Sequence, residues 1–193
     1  MFLEYNPVTD VWRDVGARYS ELFRHRYYDL AIESFSHFTG DAILYNFEAE
    51  PNIYKYSLTK GTMETIGGAS SYADSIPQGF KNKKAVERED AFNWFIRIPW
   101  YNSPVLFDPY KKLYYRLYFD DIPLKKSDGL FAGQFDKTPV LMVFDDDFNL
   151  LKEIELPVGT IAGGKPFVSP KGLHIDLRTL TSKYKVYCIV SVE

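Results

Sequence analysis

The stretch Ile53-Tyr54-Lys55-Tyr56, followed by Met63 and Ile66, has two counterparts at constant offsets in the same chain: Phe2-Leu3-Glu4-Tyr5 with Trp12 and Val15, and Leu141-Met142-Val143-Phe144 with Leu151 and Ile154. Each copy reads as a short apolar strand, a polar turn and a second short strand. An internal repeat constrains the architecture before any local assignment does, because each unit must stack on its neighbours to bury its faces. Upstream of the middle copy, Tyr28–Phe35 and Ala42–Phe47 read as two more strands, joined by the turn Thr39-Gly40-Asp41. Four consecutive antiparallel strands in roughly 40–45 residues is the size of one propeller blade.

Working outward, the same unit recurs. Asn6-Pro7-Val8-Thr9-Asp10 and Thr59-Lys60-Gly61 carry turn chemistry, Pro fixing φ and Asn and Asp bonding their own backbone. Trp94–Trp100 with Ser103–Phe107 reads as one bulged strand, then Asp108–Lys112 as a turn, and Leu113–Phe119, Pro139–Phe144 and Leu150–Leu156 as strands. Pro166-Phe167-Val168, Leu173–Leu177 and Tyr184–Val192 begin a further unit. The segment 17–26 is polar and basic and suits a short helix or an outer connection, and the charge-dense run Lys81–Asp90 suits a helix or a mobile loop. The reading predicts an all-β chain: a partial β-propeller of about three to four four-stranded antiparallel blades. Residues 1–193 form one domain, with a half blade at 1–16, blades at 27–67 and 93–156, and an incomplete blade at 165–193.

Composition narrows the function classes. The chain has 15 Tyr, 15 Phe and 3 Trp among 193 residues, an aromatic load suited to half-buried pleated surfaces. A net charge of −3 argues against nucleic acid as a partner, which would need a basic face. No stretch approaches the ~18 apolar residues of a membrane span. Cys188 is the only cysteine, so no internal disulfide or cysteine-built zinc site is expected, and it reads as a small core residue. Met1–Tyr5 has neither a basic region nor an apolar core and does not read as a signal peptide.

Three strings go beyond periodicity: Ser70-Ser71-Tyr72-Ala73-Asp74, Phe107-Asp108-Pro109-Tyr110-Lys111-Lys112-Leu113-Tyr114-Tyr115-Arg116, and Val143–Leu151. Together they resemble a family of bacterial cell-envelope proteins of unknown function that looks like a TolB-like six-bladed β-propeller. The resemblance covers most of residues 27–190, and the Asp-Pro-Tyr-Lys-Lys-Leu-Tyr-Tyr-Arg string is its most specific part. It implies a periplasmic or outer-membrane location, since such proteins are usually exported and often lipid-anchored lipoproteins. Set against that pattern, the sequence is expected to lack a leader and an attachment cysteine and to have room for only about three and a half blades, so it reads as a partial copy. A partial ring leaves blade faces uncovered, which predicts self-association or missing blades elsewhere.

Candidate chemistry is sparse. Asp145-Asp146-Asp147-Phe148-Asn149 has hard oxygen ligands but lacks the glycine and the bidentate glutamate of a calcium loop, so a solvated turn is expected. His25, His37 and His174 have no ligand spacing, and neither metal nor cofactor is expected. No nucleophile elbow or nucleotide loop is present. Arg116, beside Tyr114, Tyr115 and Tyr118, either faces a central channel and grips a carboxylate or stacks between strands. The loop from Ser70 to Asp90 with Trp94, Trp100 and Tyr101 is the best binding candidate, because loops on a rigid scaffold carry function and flat aromatic faces recognise sugars and proteins. The binding residues expected are Tyr72, Asp74, Arg97, Trp100, Tyr101 and Arg116. The function expected is a non-catalytic binding or scaffold module for a protein or glycan. The alternatives are a lactonase-like enzyme with a central-channel site, or an inactive fragment of a longer propeller.

Overall fold

A computed structural model describes residues 3–14, 16, 18–28, 34–74, 76–82, 84, 91–161, 166–178 and 186–190. Most of the run Lys81–Asp90, and residues 29–33 of the expected strand Tyr28–Phe35, lie outside them. The described chain is all-β with little helix. Strands β1 (Leu3–Asn6) and β2 (Val11–Asp14) form a two-stranded sheet. β3 (Ser34–Phe38), β4 (Ala42–Phe47), β5 (Ile53–Ser57) and β6 (Thr62–Ile66) form a four-stranded antiparallel meander. β7 (Leu106–Asp108), β8 (Leu113–Phe119), β9 (Pro139–Phe144) and β10 (Leu150–Glu155) form a second. β11 (Phe167–Ser169), β12 (Gly172–Leu177) and β13 (Val186–Val190) form a three-stranded sheet. A 3-10 turn covers Glu21–Arg24, and Ser20 caps it through its hydroxyl. No helix among the described residues is long and apolar enough to cross a membrane.

Successive sheets pack face to face, and the period-two alternation of strand side chains sorts residues between neighbours. On β8 and β9, Tyr114, Tyr118, Val140, Met142 and Phe144 join Leu44 and Ile53 of the β3–β6 sheet. The intervening Leu117, Leu141 and Val143 join Leu173 and Ile175 of the β11–β13 sheet. The inner strands of the β7–β10 sheet are therefore buried on both faces, β9 along its whole length, while the outer strand β10 is largely exposed. The far face of the β3–β6 sheet carries Tyr45, Phe47, Tyr54 and Tyr56, closed over by Phe23.

The repeat appears in the ladders. Tyr5 pairs Trp12, Tyr56 pairs Met63 and Leu141 pairs Ile154. Asp10 and Gly61 occupy the same turn position, both with positive φ (54° and 65°). The third copy departs by one residue. Its turn is one residue shorter at the equivalent pair, since Phe144 pairs Leu150 rather than Leu151, and Phe148 takes the left-handed conformation (φ 62°). A register shift between Leu150 and Lys152 absorbs the extra residue and restores the pairing at Ile154.

One expected strand is corrected. Ala91–Arg97 is an α-helix, α1, and only Leu106–Asp108 of the predicted bulged strand is regular. Trp94 and Phe95 of α1, with Ile98 just beyond its end, turn toward one core, where they pack with Tyr28 and Phe80. Beyond α1, Trp100 makes an isolated two-bond bridge to Phe119 (3.0 and 2.8 Å), and the chain then leaves the edge of β8. The Ser103 hydroxyl accepts the Leu117 amide at 2.9 Å, so this buried N–H is paired although the backbone has moved away.

Candidate functional site

The expected binding residues divide by burial. Tyr72, Asp74 and Arg97 are exposed, whereas Trp100 and Tyr101 are each 3% exposed and Arg116 is 1% exposed. Trp100 packs edge-on against Phe95 and Phe119 in the core shared with the β11–β13 sheet. Beside it the buried Lys137 ammonium donates to the carbonyls of Ile98 (2.6 Å) and Asp120 (2.8 Å). Burial lowers its pKa to about 7, against the weaker pull of Asp121 and Asp120.

Arg116 extends from β8 into the β3–β6 sheet. Its Nη1 donates to the carbonyls of Pro51 and Gly68, the latter at 3.1 Å, and its Nη2 to that of Glu50 at 3.0 Å. The guanidinium carbon lies 3.9 Å from the centre of the Tyr101 ring. Burial lowers its pKa to about 10, with Tyr101 and Glu50 opposing the shift. Tyr101 is held at both ends: its amide donates to the Glu48 carbonyl (2.9 Å) and its phenol accepts the Ser70 amide (3.3 Å). The Glu50 carboxylate accepts from Ser20 (2.9 Å), Tyr54 (3.0 Å) and Asn52 (3.3 Å), while burial pushes its pKa up. This arrangement is a staple between two sheets, with its terminal donors committed to carbonyls.

The Asp-Pro-Tyr-Lys-Lys turn string and the Ser-Ser-Tyr string also have structural duties. Asp108, fully buried, accepts the amides of Tyr110 (2.9 Å) and Lys111 (3.1 Å) and the phenol of Tyr115 (3.2 Å). Ser70 and Ser71 clasp the Glu153 carboxylate on β10 through their hydroxyls, and the Ser71 amide adds a bond at 3.1 Å. Tyr72 stands beside this clasp, its phenol pKa raised by the Glu155 carboxylate that it bonds. Asp145 bonds the amides of Asp147 (3.0 Å) and Asn149 (2.8 Å), so its oxygens organise the turn.

The side chains best arranged to meet a ligand lie elsewhere. β3, β7 and β11, the first strands of three successive sheets, are each a sheet edge, and β7 and β11 pack together. Between them and their following turns lies an open groove of about 540 Å³, lined by His37, Phe38, Phe107, Tyr110, Phe167 and Val168 among others. Phe38 and Tyr110 are each 61% exposed and Phe167 is 44% exposed. None of the described lining residues is Asp, Glu, Lys or Arg. Burial pushes the His37 imidazole below its usual pKa, so it is neutral near physiological pH. Phe167 is braced from behind: the His174 ring stacks on it at 4.5 Å and 8°, Tyr187 meets it edge-on, and His174 Nε2 bonds the Ser169 hydroxyl at 2.7 Å. The same hydroxyl accepts the Lys171 amide at 3.1 Å, which ties this Ser–His contact to the β11–β12 turn. Among the described residues no group of three or more His, Cys, Asp or Glu is placed to hold a metal ion.

Sequence reasoning passed over this groove because each contributor reads as an ordinary strand aromatic. The available signal was positional: Phe38, Phe107 and Phe167 each precede the first turn of their unit by one or two residues.

Comparison with known proteins gives a family and a fold likeness. A crystal structure at 1.75 Å of a DUF4221 family member from Bacteroides vulgatus superposes with a TM-score of 0.72 at 18% identity, covering 91% of this chain and 49% of that one. The likeness is one of fold, and the chain spans about half the length of that relative. No curated protein matches. The profile of the family described as Domain of unknown function (DUF4221) matches residues 9–155, and the chain therefore belongs to that family.

Proposed function

We propose that this chain is a non-catalytic binding module, built as part of a β-propeller, whose ligand is a protein or a glycan. The observation that carries this reading is the lining of the first-strand groove. In a propeller the first strand of each blade borders the central axis, and sites there are built from residues contributed by successive blades. Here those strands bring together aromatic faces and one neutral imidazole, and among the described residues no cluster of carboxylates or histidines is placed there for hydrolysis. An exposed, largely apolar concavity supports recognition better than turnover. The meandering four-stranded sheets, packed face to face, support a blade-like arrangement.

The exposed Tyr72, Asp74 and Arg97 remain candidate contact residues away from the groove. Incompletely covered sheet faces would be met by self-association or by further blades.

The reading is tested with immobilised purified protein, screened against a glycan array and against solubilised bacterial envelope proteins. Binding that is lost in Phe38→Ala and Phe167→Ala supports it. Silence in both screens, or measurable hydrolysis of lactone and ester substrates by the wild type, overturns it.

A further inference from the structure

Resting on the binding reading, we infer that the first-strand groove receives an uncharged pyranose sugar, one or two rings long, stacked on the exposed faces of Phe38, Tyr110 and Phe167. The first argument is charge. A quarter of the residues in this chain are charged, yet none of the described residues lining the groove is an acid, a lysine or an arginine. A sialic acid, a uronic acid or a sulfated sugar would bury its charge there without a partner, an unfavourable transfer. An uncharged ring incurs no such penalty.

The second argument is the match of surfaces. A pyranose has an apolar C–H face and a rim of hydroxyls, each both donor and acceptor. Phe38, Tyr110 and Phe167 offer flat aromatic surface at 44% to 61% exposure. Neutral His37 supplies one donor and one acceptor nitrogen, which suits a hydroxyl better than an imidazolium with two donors. The Tyr110 phenol adds a polar tip. The edge strands β3, β7 and β11 add backbone groups that, among the described residues, no further strand of their own sheets pairs.

The third argument is size and rigidity. A groove of about 540 Å³ falls within the usual range of small-ligand sites, roughly 300–1,000 Å³. Phe167 does not swing freely. The His174 ring lies nearly parallel behind it and is itself fixed by Ser169. A preorganised aromatic face reduces the ordering penalty of binding. His174 is thus a positioning residue, acting on the sugar through Phe167.

The experiment is ligand-observed saturation-transfer NMR on the whole chain, followed by titration calorimetry. The probes are methyl pyranosides of glucose, galactose, mannose and N-acetylglucosamine, their disaccharides, and sialyl and glucuronyl counterparts. The expected result is transfer to the C–H protons of one face of a neutral ring. Phe38→Ala and Phe167→Ala should each weaken binding by about tenfold. His174→Ala should weaken it by several fold, while His174→Phe, which preserves the stack, retains most of it. Phe131→Ala serves as the control, since Phe131 is 65% exposed but outside the groove lining, and it should bind as the wild type does. Circular dichroism and thermal melting establish that each variant is folded. Preference for the charged sugars, or transfer that survives Phe38→Ala and Phe167→Ala, would overturn the inference. So would failure of every sugar while an envelope protein still binds in a Phe167-dependent way, an outcome that leaves the binding reading standing. Failure of sugars and proteins together removes both.

Discussion

Lys137 shows how a single residue carries a functional-looking anomaly for structural reasons. Its ammonium is enclosed near Trp100 and bonded to two carbonyls, and enclosure depresses its pKa to about 7. An unfolded lysine titrates near its ordinary 10.5. Between these values the unfolded chain binds the extra proton, so this group makes stability rise with pH, and below about 7 its full burial penalty is present. The gain should end near pH 10, where unfolded tyrosines ionise while Tyr115, pushed up to about 12 by burial and Asp108, keeps its proton. Urea melts across this window should show wild-type stability increasing from pH 7 to about 9.5. Lys137→Met should flatten that slope. An unchanged slope in the variant would assign the titration to another group. The sequence does not disclose this residue, because Lys137 sits in a polar insertion where lysine normally meets water.

At the scale of elements, hairpins were the most legible part of the chain. Alternation along Leu113–Phe119 and the turn residues around Gly61 are local properties, and local chemistry sets them. What was hidden depended on tertiary packing. Trp94-Phe95-Ile96 has high strand propensity, but one helical turn places its large side chains in the core beside Tyr28 and Phe80. The one-residue slip near Leu151 was masked because an apolar residue stands at both possible partners of Phe144. Arg116 was ambiguous because β8 is enclosed on both faces, so alternation no longer distinguishes inside from outside. The β11–β12 turn gives the sharpest element-scale prediction. Gly172 has φ 123°, and a Cβ there would lie 2.6 Å from the Val190 carbonyl oxygen of β13. Gly172→Ala should therefore destabilise by about 2–3 kcal/mol or more, through backbone strain together with displacement of β13. A thermal melt within a degree or two of the wild type would show that the turn relaxes at little cost.

At the scale of the molecule, the groove could not be read from the sequence, since it arises only when three first strands converge. Other surfaces are also uncovered. On the β1–β2 hairpin Val8 is 91%, Trp12 63% and Val11 54% exposed. Exposed apolar side chains on a two-stranded hairpin favour contact with another surface. Sedimentation velocity over a broad concentration range should reveal reversible association, with Trp12→Lys shifting it to higher concentration. A compact monomer at the highest concentration would remove self-association from the account.

The Arg116 staple also has a thermodynamic meaning. One guanidinium rooted in β8 bonds carbonyls at Glu50, Pro51 and Gly68, and Tyr101 closes the circuit by joining Glu48 to Ser70. Neither meander can open without stranding a buried cation or its acceptors, so the two should unfold as one cooperative block. Native-state amide exchange should then report a common opening free energy for Leu44, Ile53, Leu117 and Val143. In Arg116→Met those protons should separate into two classes, the β3–β6 group exchanging first. Two classes already present in the wild type would mean that the sheets were independent from the outset.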